Sequence, residues 1–250
     1  MYFLTKELYF PPVDEASYEG VLAIGGDLSI ERLLLAYQNG IFPWFNDDEP
    51  ILWWSPSERM VVVPQMYKVS KSIRNLLNQN KFKVTFNQNF SEVIRNCQQI
   101  ERKGQDDTWI SEDIIASYTK LHEMGIAKSV EVWQNDELVG GLYGVDLGHV
   151  FCGESMFSKV SNASKIAFVT LIKHLKENKL IKITKELQKG KWIEIEREEI
   201  ELEELSRKEN LYILVDEAHR SHYGFLASFM RTVLPNAKFI AFTGTPISKE

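Results

Sequence analysis

Glu154 is the residue with the clearest potential for chemistry, because it lies between Gly153 and Ser155 at the end of a predicted strand. A carboxylate in such a position can accept a hydrogen bond or a proton from a reacting group. The same residue type also occurs as a buried structural acid whose hydrogen bonds are satisfied. Its position alone leaves both interpretations open.

An aromatic segment over 41–56 contains three tryptophans, Trp44, Trp53 and Trp54, together with prolines. The prolines exclude a helix there. Rings at this density either fill a core or form an aromatic-walled pocket on which a ligand stacks. Both interpretations remain open on the residues alone.

A basic strip follows the aromatic segment. No acidic residue occurs between Arg59 and Glu92, and Lys68, Lys71 and Arg74 recur every three residues within that gap. On a helix this spacing predicts one ridge of positive charge, which could neutralise phosphates. A solvated helix face explains the same pattern, so the spacing does not decide between the two.

The elements that must position these residues alternate between helix and strand. Helical spacing and N-cap residues predict helices, and short apolar or alternating runs predict strands. Tyr37 and Tyr118 lie on apolar helix faces, where each is either a core tyrosine or a phenol that reaches a site. The pattern predicts an α+β fold. We predict helices over 29–39, 70–77, 90–100, 111–124 and 163–178, and strands over 83–86, 127–133, 138–145 and 149–152.

The composition changes near residue 180. An apolar strand over 211–215 runs directly into Asp216 and Glu217, and a helix over 223–234 leads to a second apolar strand over 238–242. This order predicts a βαβ unit with polar residues at the carboxyl ends of its strands.

Overall composition excludes several classes of protein. The chain has 250 residues, of which 44% are hydrophobic and 26% charged, so it is neither collagen-like nor disordered. A net charge of −6 argues against a general nucleic-acid-binding protein. We expect no membrane association, because no apolar stretch is long enough to span a bilayer, and no signal peptide, because residues 1–12 contain no basic segment followed by an apolar block. Two cysteines without metal-type spacing predict a reducing, cytoplasmic setting.

Residues 1 to about 178 resemble the leucyl/phenylalanyl-tRNA–protein transferase family. The resemblance rests on short motifs that occur in the family's order, and together they are far more specific than any one of them. The motifs lie at residues 25–29 (GGDLS), 40–45 (GIFPWF), 50–56 (PILWWSP), 108–110 (TWI), 129–133 (SVEVW), 138–144 (LVGGLYG), 151–158 (FCGESMFS) and 162–165 (NASK).

This resemblance implies an enzyme that moves Leu or Phe from an aminoacyl-tRNA to a protein whose N-terminal residue is Lys or Arg, which marks that protein for degradation through the N-degron pathway. It implies no cofactor and no metal. It also implies a small N-terminal domain over 1–65 and an acetyltransferase-like (GNAT-like) domain over 66–178. Attack of an amine on an activated ester requires mainly that two substrates are positioned and that an oxyanion is stabilised.

The resemblance also implies a role for individual residues. Glu154 matches the position that orients the attacking amine, and it is the implied catalytic residue. The implied substrate-binding residues are Trp44 and Trp109 for the 3′-terminal adenosine, Phe151, Gly153 and Met156 for the Leu or Phe side chain, and Tyr37 and Tyr118 near the acceptor end. Lys68, Lys71 and Arg74 match the face that meets the tRNA acceptor stem.

The family pattern breaks after the 162–165 motif. The family continues with an Asp-Cys-Gln strand whose Asp and Gln belong to its catalytic hydrogen-bonding network, and this chain contains no Asp-Cys-Gln. The resemblance therefore implies a truncated domain and puts its activity in question. An open sheet edge left by the missing strand would also be prone to aggregation.

Residues from about 181 to 250 resemble part of the RecA-like motor domain of type I restriction enzyme R subunits, which suggests a third domain over 179–250. The resemblance implies that Asp216 holds Mg²⁺ and that Glu217 polarises the attacking water. No phosphate-binding Gly-x-x-x-x-Gly-Lys-Ser/Thr loop occurs in the sequence, so we expect no ATP hydrolysis. The alternatives to the transferase are an inactive chimera and a fragment of such a motor subunit.

Overall fold

Four sheets organise the parts of the chain that the computed structural model describes, which are residues 2–100, 108–148, 150–177, 182–188, 191–197, 211–215 and 237–241. Two of these sheets have four strands and two have two strands. Helices and sheets are both present, which confirms the predicted α+β class at this level. Among the described residues, no helix is both long and apolar enough to cross a bilayer.

The N-terminal sheet has the strand order β1-β2-β4-β3. Strand β1 is parallel to β2, and the other pairs are antiparallel. Helix α1 follows β2, and Ser29 precedes it as predicted. The aromatic segment forms the two short strands β3 and β4, so the exclusion of a helix is confirmed. The bounds are β1 Tyr2–Leu4, β2 Val21–Gly25, α1 Ile30–Gln38, β3 Phe42–Pro43 and β4 Leu52–Trp54.

The second four-stranded sheet is antiparallel throughout, in the order β5-β6-β7-β8. Asn135 and Asp136 join β6 to β7 and have positive φ angles of 51° and 60°, which suits a tight hairpin turn. The bounds are α2 Lys71–Asn78, β5 Lys83–Phe86, α3 Phe90–Gln99, α4 Glu112–Glu123, β6 Ala127–Gln134, β7 Glu137–Asp146, β8 Phe151–Ser158 and α5 Ala163–Glu177.

Both faces of this sheet are covered by apolar residues. One core cluster joins the N-terminal sheet, α1, α3 and α4 to one face of the sheet, and Tyr143 belongs to it. The other cluster lies on the opposite face beneath α5 and α2, and the neighbouring Leu142 belongs to that one. Adjacent strand residues point to opposite faces, so β7 is buried on both sides.

Strand β8 differs from the sequence prediction. The prediction of a strand over 149–152 was wrong in length, because β8 runs from Phe151 to Ser158. The small and polar residues Gly153–Ser155 suggested a strand end, but hydrogen bonding to β7 carries the strand through them. Glu154 therefore lies in the middle of a strand rather than at its end.

The C-terminal elements form separate small sheets. Strands β9 (Lys182–Gln188) and β10 (Lys191–Arg197) pair antiparallel, and β11 (Leu211–Val215) pairs parallel with β12 (Ala237–Ala241). The parallel pair confirms the two strands of the predicted βαβ unit. The predicted helix over 223–234, Asp216 and Glu217 lie outside the described residues. Strand β11 is hydrogen-bonded to β12 and is not a strand of the β5–β8 sheet.

Candidate active site

A β-bulge in β8 determines where Glu154 points. Gly153 pairs with Gly144 and Ser155 pairs with Tyr143, so Glu154 is the extra residue with no partner across the ladder. A bulge re-aims the side chain of its extra residue. Gly144 permits this arrangement, because a Cβ atom there would lie 2.2 Å from the Cys152 carbonyl oxygen.

The Glu154 carboxyl group accepts hydrogen bonds from two tyrosines that come from different helices. The Tyr37 hydroxyl, from α1, donates to Oε1 at 2.6 Å, and the Tyr118 hydroxyl, from α4, donates to Oε2 at 3.4 Å. The two hydroxyl oxygens also lie within hydrogen-bonding distance of each other, and because each hydroxyl has a single hydrogen, the two hydroxyls alternate between this contact and their contacts with the carboxylate. Both rings are completely buried, and their planes meet nearly at a right angle. The structure therefore brings these three predicted site residues into one cluster.

Burial controls the acidity of this cluster. Desolvation raises the pKa of Glu154 to about 7, although the hydrogen bonds from Tyr37 and Tyr118 oppose the rise. Burial and the nearby Glu154 charge raise the pKa of both tyrosines well above their ordinary value. The residue Glu154 as a whole is part-exposed, whereas its carboxyl group is buried. A carboxyl group in this state can gain or lose a proton near neutral pH.

The two predicted adenosine-binding tryptophans have different environments. Trp44 directly follows β3, is part-exposed, and packs edge-on against Trp54 with ring centroids 5.2 Å apart. Trp109 precedes α4 and is only 7% exposed, which makes it mainly a core residue. Both contact the apolar cluster that contains Tyr37 and Tyr118. They therefore lie on the Glu154 side of the sheet.

Two of the residues predicted to line the amino-acid pocket lie on the face of the sheet opposite to Tyr37 and Tyr118. Phe151 and Met156 pack with the cluster beneath α5, whereas Tyr37 and Tyr118 belong to the other cluster. Because the bulge adds one residue to β8, Phe151 and Met156 share a face of the sheet although they are five residues apart. Gly153 is part-exposed beside the bulge. The pocket role of these three residues stays a prediction.

The basic strip is not one helical ridge as predicted. Ser70 accepts a hydrogen bond from the Ile73 N–H and caps α2, so the helix begins at Lys71 and Lys68 precedes it. Lys71 and Arg74 lie one turn apart on the exposed face of α2, and Lys68 is exposed as well. The prediction of a shared helical ridge was therefore wrong for Lys68.

Arg59, which begins the acid-free stretch before Glu92, was not predicted as a site residue. Its Nε donates to the Pro56 carbonyl at 2.9 Å, and its Nη2 donates to the Gly40 carbonyl at 2.6 Å and to Ser55 Oγ at 3.0 Å. Burial lowers the pKa of Arg59 to about 10. The only sequence signal was a basic residue just after the aromatic segment.

An α+β fold around a buried carboxyl group that is poised near neutrality is typical of enzymes that exchange a proton with their substrate. The described residues fit that class in both fold and site. Comparison with known proteins then identifies the family.

Two family models match the chain. The model described as leucyl/phenylalanyl-tRNA protein transferase matches residues 61–209, and the model of the N-terminal domain of the same enzymes matches residues 26–57. The first match alone covers more than half of the chain. The chain belongs to the leucyl/phenylalanyl-tRNA–protein transferase family, as the sequence motifs predicted.

Similar relatives carry the family name. The leucyl/phenylalanyl-tRNA–protein transferase of Flavobacterium johnsoniae is 67% identical over 177 residues, which are 71% of this chain and 84% of the relative. That of Flavobacterium psychrophilum is 64% identical over 178 residues, with the same shares. That of Thermodesulfovibrio yellowstonii is 50% identical over 174 residues, 70% of this chain and 71% of the relative.

The comparisons do not support the second resemblance. The family model continues to residue 209, beyond the boundary that we expected at 178. The resemblance of residues 181–250 to a restriction-enzyme motor subunit therefore stays a prediction.

Proposed function

We propose that this protein transfers a leucyl or phenylalanyl group from aminoacyl-tRNA to the α-amino group of acceptor proteins that begin with Lys or Arg. The observation that supports this proposal is the Glu154 carboxyl group, held by Tyr37 and Tyr118 with its pKa raised to about 7, in a chain of this family. The α-amino group of a protein titrates at about 7.7–8.0, so the carboxylate and the amine are well matched for proton exchange.

The proposed reaction is aminolysis of an ester. The acceptor nitrogen attacks the ester carbonyl carbon, a C–N bond forms, and the C–O bond to the terminal ribose breaks. Glu154 accepts a proton from the attacking nitrogen and returns it to the departing ribose oxygen, so its protonation state is unchanged after one turnover. Tyr37 and Tyr118 hold the carboxyl group in one orientation while this happens.

The surrounding residues have proposed binding roles. The part-exposed ring of Trp44 stacks on the terminal adenine, and Trp109 supports that wall from the core. Phe151, Gly153 and Met156 contribute to the pocket for the Leu or Phe side chain, with Met as an adaptable surface. Lys68, Lys71 and Arg74 contact the acceptor stem.

The domain division remains part of this proposal, with a domain over 1–65, an acetyltransferase-like domain over 66–178 and a further region over 179–250. The parallel pairing of β11 and β12 supports an α/β character for that region.

We place the enzyme in the cytoplasm, because its tRNA donor is found there and because both cysteines are buried thiols without a disulfide.

A transfer assay with three donors and two acceptors tests the proposal. We expect radiolabelled Phe or Leu to pass from tRNA to a peptide that begins with Arg, with much less transfer from Val-tRNA. A pocket discriminates by about 1–3 kcal/mol for each missing methylene. A peptide that begins with Asp is the acceptor control. Absence of transfer from Phe-tRNA and Leu-tRNA at any enzyme concentration would refute the proposal.

Charge reversal on α2 is expected to weaken tRNA binding. Lys71→Glu combined with Arg74→Glu removes two phosphate contacts, so affinity falls and its dependence on salt concentration becomes less steep. Filter binding over a range of salt concentrations measures both effects. Lys120→Glu with Lys176→Glu is the matched control, because these lysines are exposed at the ends of other helices. An unchanged salt slope in the α2 variant would exclude this face from the interface.

Removal of the Tyr37 hydroxyl is expected to shift the pH dependence of transfer. Its hydrogen bond lowers the pKa of Glu154, so Tyr37→Phe raises that pKa above about 7 and moves the rising limb of the rate to higher pH. Tyr118→Phe is the comparison, and its shift is smaller because its bond is longer, 3.4 Å against 2.6 Å. A pH–rate profile of each variant measures the shifts, and profiles identical to the wild type would contradict the assignment.

A further inference from the structure

Arg59 has a hydrogen-bond donor that no acceptor satisfies. Its Nε and Nη2 atoms donate hydrogen bonds to Pro56, Gly40 and Ser55, whereas Nη1 is shielded from solvent and has no hydrogen-bond partner among the described residues. A buried donor without an acceptor is costly, and more so when it is charged. Arg59 as a residue remains part-exposed, so its guanidinium group lies just beneath the surface.

The positive charge of Arg59 also lacks an ion pair. In the described ranges the ion pairs are Arg32–Asp27 and Arg95–Glu112, and neither includes Arg59. Although burial lowers the pKa of Arg59 to about 10, the group stays positive at neutral pH. A buried cation that is held by neutral oxygens and has one open donor is suited to bind an anion.

The position of Arg59 connects it to the proposed substrate site. Its guanidinium lies 5.6 Å from the centroid of the Phe42 ring. Trp44 is two residues further along the same extended segment, hence on the same face, and its Nε1 is likewise buried without a partner. On the other side, the pKa of Cys152 responds to the charges of both Arg59 and Glu154. Arg59 Nη1 and Trp44 Nε1 are thus two unsatisfied donors beside the same extended segment, and Cys152 lies within electrostatic range of both Arg59 and Glu154.

We propose that Arg59 binds the phosphodiester that precedes the aminoacylated nucleoside of the donor, with Nη1 as the charged donor. This inference rests on the proposed function, because that donor carries a phosphodiester one sugar away from its ester. Arginine suits a phosphate oxygen better than lysine does, since its planar fork keeps its other bonds while Nη1 points at the ligand.

Two small ligands isolate the phosphate contact. The first is 3′-phenylalanylamido-adenosine without phosphate, and the second is the same compound with a methyl phosphodiester at its 5′ oxygen. We expect calorimetry to show that the wild type binds the phosphodiester about 10- to 100-fold more tightly. In Arg59→Gln this preference falls to a few-fold or less, and in Arg59→Lys it is intermediate. Affinity for the phosphate-free ligand changes little in either variant.

The comparison within each variant separates binding from folding, because a general loss of structure weakens both ligands equally. Arg95→Gln is the matched control, since Arg95 is 51% exposed and pairs with Glu112 on the helices α3 and α4. It should keep the full preference. Equal binding of the two ligands by the wild type, or an equal loss of both in Arg59→Gln, would overturn the inference. If the wild type bound neither ligand, the proposed function itself would fail.

Discussion

Replacement of Glu154 by Gln is expected to reduce the rate of transfer by about 10²- to 10⁴-fold, the usual contribution of a positioned general base. Gln keeps an oxygen that can accept the Tyr37 hydrogen bond but cannot take up a proton. The wild-type rate should rise with pH through about 7, where the Glu154 carboxyl group ionises. The residual rate of the variant should lack this rise. Single-turnover transfer from Phe-tRNA over a range of pH measures both.

The same variant is also expected to change how the stability of the protein depends on pH. The pKa of Glu154 is raised from 4.5 to about 7 in the folded chain, so the folded state holds a proton that the unfolded state loses in that interval. Wild-type stability therefore falls as pH rises from 4.5 to about 7, by an amount of the order of 3 kcal/mol for this group. Glu154→Gln should lose that part of the pH dependence.

A suitable control is Glu123→Gln, because Glu123 is exposed at the end of α4, whereas Tyr118 of the same helix is buried. It should retain both the wild-type rate and the wild-type pH dependence. A Glu154→Gln enzyme with full activity would show that the carboxyl group is structural and that the proton acceptor lies elsewhere.

Replacement of Gly144 by Ala is expected to destabilise the protein by about 2–3 kcal/mol, as overpacking in a rigid core does. The new Cβ would lie 2.2 Å from the Cys152 carbonyl oxygen and 2.6 Å from the Phe151 ring. Backbone atoms cannot move away as a flexible side chain can, so the β7–β8 pairing must shift. Because the bulge orients Glu154, transfer activity should fall together with stability. Urea unfolding and the transfer assay measure the two effects.

Gly148→Ala is the matched control for this prediction. Gly148 has a positive φ of 84°, but a Cβ there would meet nothing within 4 Å. Its cost is therefore conformational, about 1 kcal/mol, and activity should be kept. If Gly144→Ala were no more destabilising than Gly148→Ala, the close contact at the bulge would not be important for the fold.

Local signals predicted most of the secondary structure. Ser70 and Ser111 cap the helices that follow them, each accepting a hydrogen bond from the backbone N–H three residues on, and such capping depends only on nearby residues. The hairpin at Asn135 and Asp136 is local for the same reason. Motif order was sufficient to predict the family and, with it, Glu154, Tyr37 and Tyr118 as site residues.

The arrangement of the site depended on contacts between residues far apart in the chain. The bulge at Glu154 exists because Gly153 and Ser155 pair with adjacent residues of β7, and it places Phe151 and Met156 on the same face of the sheet. Tyr37 lies 117 residues from Glu154 in sequence, and no local rule brings them together.

The buried charge of Arg59 likewise came from folding, since Gly40 and Ser55 surround it only after β3 and β4 pair. Periodicity and capping act over a few residues and can be read along the chain, whereas desolvation and strand pairing depend on which distant segments meet. For this protein, the sequence was sufficient to predict the family, most of the helices and strands, and the identity of the central carboxylate. The direction in which that carboxylate points and its raised pKa emerged from packing.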